Sequence, residues 1–105
     1  MISFVTAENF GAEVTNAAVP VLADFYSESC IPCKRLSPIL YELDTEYKGK
    51  VKIVKINAGT GYELAKKYGV TSTPTLLLLQ SGAETGRLTG FVPKEEIEKL
   101  INEKI

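Results

Sequence analysis

The sequence contains no histidine and no tryptophan, and only two of its 105 residues are cysteine. The absence of histidine excludes catalysis by Cys–His or Ser–His–Asp groups. It also removes the commonest ligand of zinc, and one pair of thiolates is too few for a structural zinc ion. Zinc or an iron–sulfur cluster would require two chains that share their cysteines, so we expect no metal and no cofactor.

Long apolar runs and an excess of charge are missing as well. The 12 basic and 13 acidic side chains leave a formal net charge of −1, which gives no basis for binding nucleic acid or an anionic membrane. No segment approaches about 18 consecutive apolar residues, so no membrane span is predicted. The N-terminal segment lacks the basic and apolar regions of a signal peptide. We therefore expect a cytoplasmic protein, with a single domain over residues 1–105.

The spacing of apolar residues predicts strands that alternate with helices. Strands are expected at residues 2–5, 20–26, 51–57, 75–79 and 83–89, and helices at 6–14, 30–47, 62–68 and from 93 onward. Thr6 is the expected cap of the first helix. The predicted inward face of the last helix consists of Ile97, Leu100, Ile101 and Ile105. The order βαβαβαββα favours early parallel pairings and a final antiparallel hairpin. The expected fold class is α/β, a central mixed β-sheet with helices on both faces.

The two cysteines form the segment Cys30-Ile31-Pro32-Cys33, at the junction of a predicted strand and a predicted helix. A CxxC at such a junction, with no other metal ligand nearby, indicates reversible dithiol/disulfide chemistry. The free N–H groups and the dipole of a helix N-terminus favour a thiolate. The dipole alone lowers a thiol pKa by less than about one unit, so we also expect direct hydrogen bonds to the sulfur.

The position of each cysteine predicts its role. Cys30 lies on the loop side of the helix start and is the expected exposed nucleophile. Cys33 lies one turn inside, should be more buried, and would resolve the mixed disulfide that Cys30 forms. Pro32 lacks an N–H and has a fixed φ, which suits the first turn of a helix.

Asp24 is a carboxylate within the apolar strand that precedes the motif. Burial should raise its pKa, and the functional interpretation is a general base that takes the proton of Cys33 through water. The alternative is a structural aspartate in a salt bridge. Lys55, on a later apolar strand, would either pair with Asp24 and modulate its pKa or extend to solvent.

Over nearly its whole length the chain resembles the thioredoxin family. The matching segments are residues 21–26, Cys30-Ile31-Pro32-Cys33-Lys34, Pro38-Ile39-Leu40, Lys55, Thr73-Pro74-Thr75-Leu76 and Gly90. The resemblance implies a thioredoxin fold and reduction of protein disulfides, with Asp24 as the base. It also implies a cis Thr73–Pro74 bond in a loop that faces the CxxC, where the substrate chain docks. The expected substrate-binding residues are Ile31, Pro32, Thr73, Pro74 and Gly90.

Three positions depart from the family's usual pattern. Thioredoxins usually read WCGPC at the motif, whereas this chain reads SCIPC, with Ser29 and Ile31 at the changed positions. Gly59 stands where the family commonly has Asp. Loss of Trp removes a flat docking surface, and Ile31 adds a branched apolar side chain at the tip. The expected partners are disulfide-containing proteins and a thioredoxin reductase, either NADPH- or ferredoxin-linked, and we expect a monomer.

Two other functions stay open at this stage. A non-catalytic module that keeps the fold would dock partners through Ile31, Pro74 and Phe91. An oxidase or isomerase is disfavoured by Pro32, because thioredoxin-like proteins of those kinds often have His before the second cysteine.

Overall fold

The computed structural model describes residues 2–105, which form strands and helices in the predicted alternating order. The strands are β1 (Ser3–Phe4), β2 (Val21–Tyr26), β3 (Lys52–Asn57), β4 (Thr75–Gln80) and β5 (Ala83–Thr89). The helices are α1 (Ile31–Glu46), α2 (Tyr62–Lys67) and α3 (Lys94–Lys104), with a short π-helix at Gly11–Thr15. Within these residues, no helix is both long and apolar enough to cross a membrane.

The sheet is mixed and has the strand order β1-β3-β2-β4-β5. β3 runs parallel to β1 and β2, whereas β4 is antiparallel to β2 and β5. The predicted parallel pairings and final hairpin are therefore confirmed. Phe25 of β2 and Thr89 of β5 both pair with Thr75, the first residue of β4. The loop that follows β2, the loop that follows β5 and the loop that precedes β4 consequently meet at one edge of the sheet.

Helices cover both faces of the sheet, which confirms the predicted fold class. One core contains apolar residues of the π-helix and α2, and the other contains those of α1 and α3. Side chains alternate along β2, so Ala23 and Phe25 face the first core while Leu22 faces the second. Asp24 lies two residues after Leu22 in the strand, so its side chain points to the same face, which is the α1 side of the sheet.

The helix predicted over residues 6–14 is present only in part, because the helical segment of the structure is Gly11–Thr15. The side chain of Asn9 accepts a hydrogen bond from the Thr6 N–H at 2.7 Å, and residues 7–9 form a turn. A side chain that accepts the N–H of a residue three positions earlier resembles the second bond of a capping box, so this bond fits the expected start of a helix at Thr6. Only the five-residue π-helix follows, and no side chain caps it.

The ends of the other elements differ from the predicted ends by at most one residue. Cys30 is the N-cap of α1 rather than a helical residue, and Pro93 is likewise the N-cap of α3. The expected inward face of the last helix holds for Ile97 and Ile101, which are fully buried. Ile105 is an exception with 52% exposure, because α3 ends before it.

The chain passes close to itself at Gly61, just before α2. The Gly61 N–H donates to the Asn57 carbonyl at 2.8 Å, and a Cβ on Gly61 would lie 2.7 Å from that same oxygen. We expect Gly61→Ala to lower the free energy of unfolding by about 1–3 kcal/mol, because backbone rather than a flexible side chain must move. Urea unfolding measures the difference.

Gly11→Ala is the matched control, since a Cβ there meets nothing within 4 Å. Its expected effect is neutral, or stabilising by about 0.5–1 kcal/mol, because alanine restricts the unfolded chain. Equal stabilities for the two variants would contradict the steric argument.

Candidate active site

The CxxC segment lies at the N-terminus of α1, directly beyond the edge of the sheet where β2 ends. Cys30 has extended backbone geometry as the N-cap, and its sulfur accepts a hydrogen bond from the Cys33 N–H at 3.1 Å. Pro32 occupies the first turn, where a missing N–H leaves no helical bond unmade. The hydrogen bond to sulfur expected from the sequence is therefore present.

The two cysteines form a disulfide, with their Cα atoms 5.2 Å apart. Cys33 is buried, with 4% exposure, whereas Cys30 is half-buried. Ile31 is 70% exposed between them, and Pro32 is exposed as well. An incoming sulfur can therefore reach Cys30 more easily than Cys33. In the described residues, no group of three or more cysteine, aspartate or glutamate side chains could hold a metal ion.

Asp24 is fully buried on the α1 side of β2, opposite Lys55 in the strand register. Neither carboxylate oxygen accepts a hydrogen bond from any residue between 2 and 105. The nearest cation is the Lys55 ammonium, whose Nζ lies 3.8 Å from Oδ2, an ion-pair distance that is too long for a hydrogen bond. Burial raises the pKa of Asp24 from 3.8 to about 6, and the charge of Lys55 opposes that rise.

Lys55 pairs with Asp24 instead of extending to solvent, and its side chain is only 10% exposed. Its ammonium donates a hydrogen bond to the Ser37 Oγ at 2.9 Å and lies 5.3 Å from the centre of the Tyr26 ring. The sequence analysis did not identify Ser37. One signal was available, because Ser37 lies four residues after Cys33 and so shares its face of α1.

A cleft of about 290 Å³ joins these groups on the α1 side of the sheet. It is lined by Phe4, Tyr26, Ser27, Glu28, Cys33, Lys34, Ser37 and Lys55. The cleft therefore gives solvent a route to Cys33 and to Lys55, the residue that faces Asp24.

The loop before β4 lies beside the motif. Its Thr73–Pro74 bond is cis, as expected from the resemblance, and Pro74 is buried. The Thr73 hydroxyl lies 3.2 Å from that of Ser27, in the loop that leads to Cys30. The Gly90 N–H donates to the Pro74 carbonyl at 2.8 Å. The structure thus brings Thr73, Pro74 and Gly90 to the same edge of the sheet as the CxxC.

A second exposed apolar side chain lies near the motif. Phe91 is 38% exposed, and the Arg35 guanidinium lies 4.8 Å from the centre of its ring. This cation–π contact was not predicted, and it connects α1 to the segment after Gly90. Ile31 and Phe91 thus provide apolar surface around a site that has no tryptophan.

A buried carboxylate below a helix that begins with a CxxC disulfide defines a thiol–disulfide oxidoreductase. The thioredoxin family model matches residues 1–103. The chain is 45% identical to the thioredoxin of Bacillus subtilis over 100 residues, which cover 95% of this chain and 94% of that protein. It is 40% identical to thioredoxin C-2 of Corynebacterium nephridii (95% and 93% covered) and to the thioredoxin of Haemophilus influenzae (92% and 91% covered).

The chain therefore belongs to the thioredoxin family and has the thioredoxin fold. It is a disulfide reductase, and Cys30–Cys33 is its redox-active disulfide.

Proposed function

We propose that Cys30 is the nucleophile of this reductase and Cys33 the resolving thiol. The Cys30 thiolate attacks one sulfur of a substrate disulfide; a Cys30–substrate bond forms, and the other substrate sulfur leaves as a thiolate. The Cys33 thiolate then attacks the Cys30 sulfur, which closes the intramolecular disulfide and releases the second substrate thiolate. The substrate gains two electrons and two protons. The unequal exposure of the two cysteine residues carries this assignment.

Asp24 is the proposed base that accepts the Cys33 proton before the resolving attack. A pKa of about 6 suits a base that works near neutral pH. Lys55, the ion-pair partner of Asp24, adjusts the strength of that base. The cleft that reaches both Cys33 and Lys55 supports transfer of the proton through water.

The substrate chain is proposed to dock across Ile31, Pro32, Thr73, Pro74 and Gly90. The exposure of Ile31 and the shared position of the other residues at the edge of the sheet support this surface. An extended substrate segment would pair with the backbone before Pro74 and present its disulfide to Cys30.

Proteins of the thioredoxin family work with disulfide substrates and a thioredoxin reductase. For this chain we propose disulfide-containing proteins as substrates and an NADPH- or ferredoxin-linked reductase as the electron donor. We further propose a monomeric cytoplasmic protein, a single domain over residues 1–105, that uses its dithiol without another cofactor.

A trapping experiment tests the roles of the two cysteines. The reduced Cys33→Ser variant should form a covalent adduct with a disulfide-bonded protein, because no resolving thiol remains to break the mixed disulfide. Non-reducing electrophoresis detects the adduct, and peptide mass spectrometry should locate it at Cys30. The Cys30→Ser variant is the control and should give no adduct. An adduct that forms as fast through Cys33 would reverse the assignment.

A further inference from the structure

The Lys55 ammonium has two oxygen neighbours, and it is closer to the neutral one. The hydroxyl of Ser37 accepts its hydrogen bond at 2.9 Å, whereas the carboxylate of Asp24 lies 3.8 Å away. A charge-assisted bond between ammonium and carboxylate normally spans about 2.7–2.9 Å. The Lys55–Asp24 distance is thus roughly 1 Å longer than a hydrogen bond. Direct contact would give the carboxylate a hydrogen bond, which it otherwise lacks from residues 2–105.

The separation matters because it controls how strongly the ammonium stabilises ionised Asp24. At 3.8 Å the ammonium supplies Coulomb attraction without a hydrogen bond. Direct contact would add that bond, favour the ionised carboxylate, and make Asp24 a weaker acceptor for a thiol proton.

We propose that Ser37 is a positioning residue, which holds Lys55 away from Asp24 and so keeps the carboxylate basic enough to accept the Cys33 proton. Ser37 lies one helical turn after Cys33 and lines the same cleft as Cys33 and Lys55. It acts through Lys55 and takes no part in the covalent steps. The proposal rests on the role of Asp24 as base that is proposed above.

Other polar groups near the cleft do not offer an equivalent anchor. Glu28, Lys34 and Tyr26 line it with Cys33, and Tyr26 contacts the ammonium only through its ring. From β4, Leu76 pairs with Asp24, and α3 contributes Ile97 and Ile101 to the core on this side. Of the two oxygen atoms near the Lys55 ammonium, only that of the Ser37 hydroxyl lies within hydrogen-bond distance.

The test is a titration of the Asp24 carboxyl by carbon-detected NMR in oxidised protein. In Ser37→Ala the Lys55 ammonium loses its hydrogen-bond acceptor and moves to the Asp24 carboxylate. The midpoint of the Asp24 titration should therefore fall by roughly one pH unit. Ser37→Thr keeps a hydroxyl and should restore the wild-type midpoint. Thr45→Ala, which removes a hydroxyl from α1 that bonds to the Tyr41 carbonyl, should leave it unchanged.

A double variant shows whether Ser37 acts through Lys55. In the Lys55→Met background, Ser37→Ala should not move the Asp24 midpoint, because there is no ammonium to release. An unchanged midpoint in Ser37→Ala alone, or a rise, would overturn the proposal even if thermal stability fell.

Kinetics separate this proposal from the role of Asp24. At pH values above the titration midpoint of Asp24, the rate of the resolving step should fall roughly threefold in Ser37→Ala. A weaker base accepts the proton more slowly. If the NMR midpoint moves while the pH profile of the resolving step stays in place, Ser37 positions Lys55 as proposed but Asp24 is not the base.

Discussion

Replacing Cys30 with serine is expected to lower the rate of protein disulfide reduction by about a thousandfold or more. A serine hydroxyl is not ionised near neutral pH, so the helix N-terminus has no anion to stabilise and the first sulfur–sulfur bond cannot form. The measurement is the reduction of a disulfide-bonded protein by catalytic amounts of the variant, with dithiothreitol as the recycling reductant. As a reference, reduced wild-type protein without dithiothreitol should stop after one turnover, because nothing reduces its disulfide again.

Two controls distinguish lost chemistry from lost folding. Cys30 is half-buried at a helix cap, and serine is itself a good N-cap, so the variant should unfold at a temperature close to that of the reduced wild type. Cys33→Ser should retain the first attack but not turnover. Activity of Cys30→Ser within tenfold of the wild type would refute the assignment of the nucleophile.

The sequence was sufficient to predict the order of the elements and the position of the motif, because each depends on local patterns. A continuous apolar run broken by one charge identified β2, and the position of Asp24 two residues after Leu22 directs its side chain to the α1 side. The first helix could not be predicted in the same way. A turn at residues 7–9 replaces its first turn, and the π-helix that follows has no periodic signal of its own.

Contacts between elements were harder to predict than the elements. The Ser37–Lys55 bond joins α1 to β3, and it depends on how the helix is rotated above the sheet. The Arg35–Phe91 contact depends likewise on where the segment after Gly90 passes α1. Neither carries a periodic signal, whereas the CxxC and the residues around Pro74 could be identified because their sequence is itself distinctive.

The Asp24→Asn variant is expected to remove the pH dependence that Asp24 gives to stability, because an amide does not titrate. The folded carboxyl, with a pKa of about 6 against a usual 3.8, holds its proton more tightly than the unfolded one. The stability contributed by Asp24 is therefore fully present below pH 3.8 and is lost as the pH rises through about 6. The difference of about two pKa units corresponds to roughly 3 kcal/mol.

Urea unfolding of oxidised wild type and Asp24→Asn between pH 3.5 and pH 8 measures this difference. The free energy of unfolding of the variant relative to the wild type should increase by roughly 3 kcal/mol over that range, nearly all of it between pH 4 and pH 7. Glu103→Gln neutralises an exposed carboxylate as a control for net charge, and should not reproduce the increase. A difference that stays constant with pH would contradict the raised pKa.

The same substitution should slow the resolving step by roughly a hundredfold at pH 7, because the buried proton acceptor is gone. Stability and turnover would then change in opposite directions at a single residue. An ionised carboxylate that accepts no hydrogen bond from residues 2–105 costs stability at neutral pH, and an uncharged side chain in its place avoids the cost of a buried charge. A residue that weakens the fold at neutral pH, on the side of the sheet covered by the helix that begins after Cys30, is best explained by the proton that Cys33 must lose.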